Sequence, residues 1–163
     1  RVGELLEADM ISVRLSPPFR FVVVATPDYL NQHGRPQTAA DLKTHNCIRQ
    51  RISNGSVMPW RLIDGNRMVE VAIKGRVIVN ENTSVVALAR RGLGLAQVSE
   101  PLVVDELNSG ALEVVLSPLS PSSPGLFLHY PGHAQVLPKL RAFIDHVKAA
   151  LATGMLDRLI PPG

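Results

Sequence analysis

The first clear element in the hydrophobic pattern is Phe21-Val22-Val23-Val24-Ala25, a continuous, largely β-branched run that suits a strand buried on both faces. Thr26-Pro27-Asp28 stops it: Thr or Asp can cap a short helix, and Pro27 fits a first helical turn. Asn31-Gln32-His33-Gly34 ends that helix, and Thr38 and Asp41 stand at capping-box spacing for a second. Short strands are expected over Cys47–Arg51 and around Trp60-Arg61-Leu62, with turn signals at Asn54-Gly55 and Asp64-Gly65. Val69, Val71 and Ile73 alternate with Glu70, Ala72 and Lys74, the period of a strand with one polar face, and Val77-Ile78-Val79 continues it to Asn80.

Asn82-Thr83-Ser84, three good cap formers, predict a helix through Val85, Leu88 and Ala89, with Arg90 and Arg91 in its last turn and Gly92 behind it. Leu93–Val98 reads as a short buried strand, and Ser99-Glu100-Pro101 as the start of a helix ended by Asn108-Ser109-Gly110. Leu112–Leu116 is a strand, Pro118–Gly125 a loop, and Leu126–Tyr130 the last strand. A long amphipathic helix follows from about Ala134–Leu137, with Val136, Leu140, Ile144, Val147 and Leu151 on one stripe. Strands alternating with helices predict an α/β sheet covered by helices.

Composition narrows the class. The chain has 163 residues, 45% apolar and 19% charged, so it is globular rather than disordered. Aromatics are only 4%, which leaves the core to Val, Leu, Ile and Ala. The longest apolar runs, Phe21–Ala25 and Val85–Ala89, are far too short to span a bilayer. One cysteine, Cys47, cannot form an internal disulfide, and a reducing cytoplasm suits that count. The net charge is +3 with the basic residues scattered, so the residues present show no nucleic-acid footprint.

Catalytic and metal chemistry find little support. His129 and His133 are four apart, but a strand and a Pro-Gly turn separate them, and zinc needs at least three convergent ligands. His33, His45 and His146 read as solvated surface residues, and Cys47 as a small buried hydrophobe. Gly92-Leu93-Gly94 follows a helix and precedes a strand, the reverse of a dinucleotide turn, so it reads as a helix end and a close packing contact. No metal, cofactor or catalytic group is expected. What remains is a set of polar strand-to-helix junctions: Asn80 with Asn82-Thr83-Ser84, Val98-Ser99 with Glu100-Pro101, and Thr26. Ligands of open α/β sheets sit outside the carboxyl ends of strands, where helix starts offer free N–H groups suited to carboxylates.

Taken in order, these segments resemble the effector-binding domain of LysR-type transcriptional regulators. The matching stretches are Val23-Val24-Ala25-Thr26-Pro27-Asp28-Tyr29-Leu30, His33-Gly34-Arg35-Pro36 through Thr38, Asp41-Leu42 and His45-Asn46-Cys47. Trp60, Val77–Asn80 and Ala87-Leu88-Ala89-Arg90-Arg91-Gly92-Leu93-Gly94-Leu95-Ala96 continue the series. Leu107–Gly110, Tyr130-Pro131 and Pro138-Lys139-Leu140-Arg141-Ala142-Phe143-Ile144-Asp145 complete it.

The resemblance implies a type-2 periplasmic-binding-protein-like α/β fold: two Rossmann-like lobes joined by two crossing strands, here with lobe I incomplete. Residues 1–20 would be a remnant of lobe I, and 21–130 lobe II with both hinge strands, Phe21–Ala25 and Leu126–Tyr130. Residues 131–153 would be a C-terminal helix returning to lobe I, and 154–163 a tail. Arg1-Val2-Gly3, which reads like the end of a strand, would then stand at the cut edge of lobe I. The implied effector-binding residues are Arg1, Thr26, Asn80, Asn82, Thr83, Val98, Ser99 and Tyr130. The implied function is non-catalytic: a small carboxylate or aromatic effector in the cleft changes the geometry of a homodimer or homotetramer. DNA would be bound only through a separate N-terminal winged helix-turn-helix. A solute-binding protein of a transporter shares the fold class and is the alternative reading; a small α/β enzyme is a weaker one.

Overall fold

The computed structural model describes residues 10–131 and 138–152. Strand β1 is Met10–Arg14 and β2 is Phe19–Ala25; helix α1 spans Pro27–His33, followed by a 3-10 turn over Ala39–Lys43. Strands β3 (Arg49–Gln50), β4 (Trp60–Asp64), β5 (Arg67–Val71) and β6 (Ile78–Val79) lead to helix α2, Asn82–Arg90. Strand β7 (Ala96–Ser99), a 3-10 turn (Glu100–Leu102), helix α3 (Val104–Asn108) and β8 (Glu113–Val115) follow. A 3-10 turn over Ser117–Leu119 precedes β9 (Ser122–Ser123), then β10 (Phe127–Pro131) and helix α4 (Pro138–Ala152). The chain divides into two units, Phe19–Ser123 and the paired segments Arg1–Pro18 and Pro124–Gly163.

In the Phe19–Ser123 unit, β2 is the spine, paired antiparallel with β7 on one side and with β8 and β9 on the other. Its β-branched run is buried on both faces, as the sequence predicts, and alternation sends its side chains into two cores. Val23 and Ala25 join Tyr29, Leu30, Leu42, Cys47, Trp60, Leu62 and Leu95 on one face. Val22 and Val24 join Ile48, Val85, Ala89, Ala96, Val98, Val103 and Leu112 on the face covered by α2 and α3. Each fully buried Val or Leu contributes about 1.5–3 kcal/mol of transfer free energy, so this strand anchors both layers. Strand β3 runs parallel to β6, and a parallel bridge between Cys47 and Leu95 sets it beside the β7 end of the larger sheet.

Local chemistry explains most boundaries. Thr26 Oγ1 accepts from Tyr29 N at 3.2 Å and Pro27 occupies the first turn of α1, while Gly34 ends it at φ +86°. Asp41 accepts from the Thr38 and Gln37 backbone amides, each at 2.9 Å, so the acidic half of the expected capping box is made. The Asp64-Gly65 signal produces the β4–β5 hairpin, with Asp64 opposite Arg67 and Gly65 at φ +58°.

Elsewhere the structure departs from the pattern. The alternation from Val69 to Val79 is two strands: β5 ends at Val71, and β6 pairs instead with β3. The break is steric, because Gly75 passes so close to Cys47 that a Cβ there would stand 1.7 Å from the Cys47 carbonyl oxygen. The helix expected from Ser99 to Asn108 is a 3-10 turn and a separate α3, interrupted at Val103, which is fully buried. In the expected Pro118–Gly125 loop, Ser122 and Ser123 pair with Arg20 and Phe19 as β9. The N-cap of α2 is Glu81, which places Asn82, Thr83 and Ser84 inside its first turn.

In the other unit β1 pairs antiparallel with β10, Ile11 opposite Tyr130 and Arg14 opposite Phe127. The guanidinium of Arg14 lies 4.9 Å over the Phe127 ring and donates to the Pro124 carbonyl at 2.6 Å. The expected hinge strand 126–130 pairs with β1 and belongs to a different unit from β2. In α4, Ile144 is buried. The expected helix start at 134–137 and the strand-like Arg1-Val2 lie outside the described residues.

Candidate functional site

The carboxyl ends of β6, β3 and β7 share one edge of the Phe19–Ser123 unit, because β3 is parallel to both neighbours. Strand β2 runs against β7 with Phe21 opposite Ser99, so its amino end belongs to the same edge. Phe19 pairs with Ser123 there, so the chain enters and leaves the unit at this edge.

Five of the sequence-predicted residues come to that edge. Asn80, Asn82 and Thr83 are exposed at the β6–α2 junction, and Ser99 is half-buried at the end of β7. Val98 is at the same level but packs into the α2-side core. The first-turn N–H groups of an α-helix have no intrahelical acceptor, and the Glu81 side chain makes no capping bond to them.

Thr26 is not brought to this edge. It follows the carboxyl end of β2, five residues from Phe21, which at roughly 3.3 Å per residue is about 16 Å away. Its hydroxyl caps α1, and a Cβ on Gly92 would stand 3.2 Å from it. Tyr130 is half-buried on β10, in the other unit. Arg1 lies outside the described residues.

Two groups at the edge escaped the sequence reading. Arg20 forms a two-point ion pair with Glu100, Nε to Oε2 at 3.0 Å and Nη2 to Oε1 at 2.5 Å. The Glu100 side chain is only 8% exposed, against 43% for Arg20. The hydrogen bond to Glu100 raises the Arg20 pKa above its usual value, against the opposing pull of burial. The sequence signal was a charge set at the start of an apolar strand and another at a strand end. The second group is Gln50, half-buried on β3 in register with Val79.

On the opposite side of the sheet His45 corrects the surface expectation: it is 6% exposed. Its Nδ1 lies 3.2 Å from the Tyr29 hydroxyl, which also accepts from Asn46 N at 3.1 Å. His33 is exposed, stacked on the Tyr29 ring at 4.3 Å. Burial, and secondarily the charge of His33, lower the His45 pKa, opposed by Asp41. The unfolded chain therefore binds more protons below the ordinary value of 6.5, so the stabilising contribution is full above 6.5 and is lost as pH falls from 6.5 to the folded value. The urea midpoint should drop between pH 7 and pH 5, and His45→Gln should flatten that slope. An unchanged slope in the variant would remove His45 as its cause.

Burial raises the Cys47 thiol to about 12, so it stays protonated at neutral pH and behaves as the small hydrophobe expected. Among the described residues no three His, Cys, Asp or Glu side chains are placed to hold a metal ion; His133 lies outside them. Among the described residues no helix is long and apolar enough to cross a membrane.

Comparison with known proteins agrees with this architecture. A putative transcriptional regulator of Pseudomonas aeruginosa is 35% identical over 149 residues, covering 91% of this chain and 49% of that protein. The chain spans about half the length of the curated relatives it matches first. The regulatory domain of CrgA, a LysR-type transcriptional regulator from Neisseria meningitidis, superposes with a TM-score of 0.74 at 27% identity, covering 93% of this chain and 73% of that one. The regulatory domain of AphB from Vibrio vulnificus gives 0.74 at 25% identity, with 91% and 72% covered. These are regulators or their regulatory domains, which lends the transporter alternative no support and places the fold in the periplasmic-binding-protein-like class. The LysR substrate binding domain model matches residues 1–152, and the chain belongs to that family.

Proposed function

We propose that this chain is the ligand-sensing domain of a LysR-type transcriptional regulator, and that its effector binds at the edge formed by Asn80, Asn82, Thr83, Val98 and Ser99. The observation that carries the reading is this convergence at the edge where the chain enters and leaves the Phe19–Ser123 unit. A ligand bound there lies at the edge that carries Phe19 and Ser123, the first and last residues of this unit. The effector is a small carboxylate or aromatic molecule, matched to helix-start N–H groups and apolar strand ends. The domain is not an enzyme. It acts in the cytoplasm as part of a homodimer or homotetramer and reaches DNA through a separate helix-turn-helix domain. Effector binding regulates only if the effector prefers one arrangement of the protein.

A thermal-shift screen of metabolites finds the effector class, since a ligand that binds only the native state raises Tm. Thr83→Trp should abolish the shifts while leaving the fold intact. Thr26→Ala, at the other edge, should cost about 1 kcal/mol of stability from the lost cap and leave the shifts unchanged. Shifts that survive Thr83→Trp, or vanish with Thr26→Ala in a folded protein, overturn the assignment.

A further inference from the structure

Of the asparagines in the sequence, only Asn54 is followed by glycine. Residues 51–56 are exposed without a break, in a turn closed by the antiparallel bridge between Arg51 and Val57. Ile52 N donates to Ser56 O at 2.9 Å, Gly55 N to Ile52 O at 2.8 Å, and Arg51 Nη1 to Gly55 O at 2.8 Å. Ser56 directs both of its donors at one atom, the Asn54 side-chain oxygen: its backbone N lies 3.0 Å away and its Oγ 2.7 Å. A side-chain carbonyl that reaches the amide two residues on folds across the intervening peptide, which brings Asn54 Cγ beside the Gly55 nitrogen. Two donors on the oxygen draw electron density from Cγ and stabilise negative charge that develops there. Gly55, at φ +85°, carries no side chain to shield its nitrogen, and nothing else stands within 4 Å of where a Cβ would be.

We propose that Asn54 is a covalent modification site, where the Gly55 backbone nitrogen attacks Cγ and converts Asn54 through a succinimide into aspartate and isoaspartate. The new bond from the Gly55 nitrogen to Cγ replaces the Cγ–Nδ2 bond. The side-chain amide leaves as ammonia, its third proton being the one the Gly55 nitrogen gives up. Water then adds to either ring carbonyl, and the ring opens to aspartate at one and to isoaspartate at the other. Water is the only co-reactant. The hydrogen bond from Gly55 N to Ile52 O has to open first, and in an exposed turn that opening uncovers little buried surface. Both products put a carboxylate in the turn that Arg51 spans, and isoaspartate also adds a methylene to the main chain. Arg51 N donates to Val79 O at 2.7 Å, so the modified turn follows directly on the carboxyl ends of β3 and β6. The chemistry itself is independent of any effector bound at that edge.

The test is peptide mapping by mass spectrometry after the folded chain has been incubated at neutral and mildly alkaline pH in water enriched in heavy oxygen. The peptide carrying residue 54 should gain the mass of an amide-to-acid conversion with one heavy oxygen, in two chromatographically separate forms. The rate should rise with pH, because the attacking nitrogen has to lose its proton. Asn66 and Asn108, exposed but followed by Arg67 and Ser109, should lag far behind. Ser56→Ala removes Oγ and keeps the backbone donor, so it should slow the conversion about fivefold, the worth of one hydrogen bond. That difference should vanish in concentrated urea, where the turn is lost. Conversion at Asn54 no faster than at Asn66 and Asn108 overturns the site. An equal or faster rate in Ser56→Ala means that the bonds to the Asn54 oxygen restrain the side chain instead of activating it, and overturns the role of Ser56. A Ser56→Ala effect undiminished in urea overturns the folded turn as its source.

Discussion

Gly75→Ala and Gly94→Ala should each destabilise the Phe19–Ser123 unit by about 4 kcal/mol or more, enough to unfold a domain of ordinary stability. At Gly75 the obstacle is purely steric, since an added Cβ would stand 1.7 Å from the Cys47 carbonyl oxygen and 2.9 Å from its carbon. That carbonyl belongs to the strand crossing itself: Cys47 N donates to Lys74 O at 2.8 Å, and Arg49 Nη2 donates to Gly75 O at 2.9 Å. The backbone cannot retreat without breaking those bonds. At Gly94 two penalties combine. Its φ of +154° strains any other residue, and a Cβ would lie 2.0 Å from Asn46 O. Asn46 is held in turn, its side chain donating to Leu93 O at 2.5 Å and accepting from Arg76 N at 3.0 Å. Gly110→Ala is the control: φ is +73° with nothing within 4 Å of the new methyl, so about 1–2 kcal/mol is expected. Urea denaturation of the three variants decides it, and losses at Gly75 and Gly94 no larger than at Gly110 would show that the close approaches to Cys47 and Asn46 do not limit these positions.

Arg20→Ala should cost about 2 kcal/mol. Breaking a fully buried pair costs 3–5 kcal/mol because it strands a charge, and the 43% exposure of Arg20 lets water recover part of that. Glu100 is the stranded partner, 6% exposed as a residue and set where β7 gives way to the 3-10 turn. Removing both charges with apolar residues of similar volume, Arg20→Met with Glu100→Leu, should restore stability to within about 1 kcal/mol of wild type. A double variant as unstable as Arg20→Ala would mean that the pair holds the edge by geometry that an apolar contact cannot replace. Hydrogen exchange at the Phe21 amide, which donates to Pro121 O at 2.9 Å, reports whether the edge itself has loosened.

The local pattern carried the fold class and most elements, because those follow from short-range physics. The double-faced burial of β2 was written in its β-branched run, the Thr26–Pro27 helix start in capping chemistry, and the β4–β5 hairpin in Asp64-Gly65. The ordered motifs carried the family. Long-range contacts decided the rest. Alternation alone predicts one strand from Val69 to Val79; the approach of Gly75 to Cys47, 28 positions away in the sequence, splits it. A histidine between polar residues reads as solvated, and only the fold places Tyr29 against His45. The site divides in the same way. Strand-tip residues were recognisable one by one, and Asn80, Asn82, Thr83 and Ser99 did arrive at one edge. Thr26 carries the same local signature yet stands at the far edge, because strand direction is a property of the sheet. Arg20 and Gln50 were silent in sequence, and Glu100 read only as part of a helix start, for the complementary reason: each owes its meaning to a neighbouring strand, which no window along the chain contains.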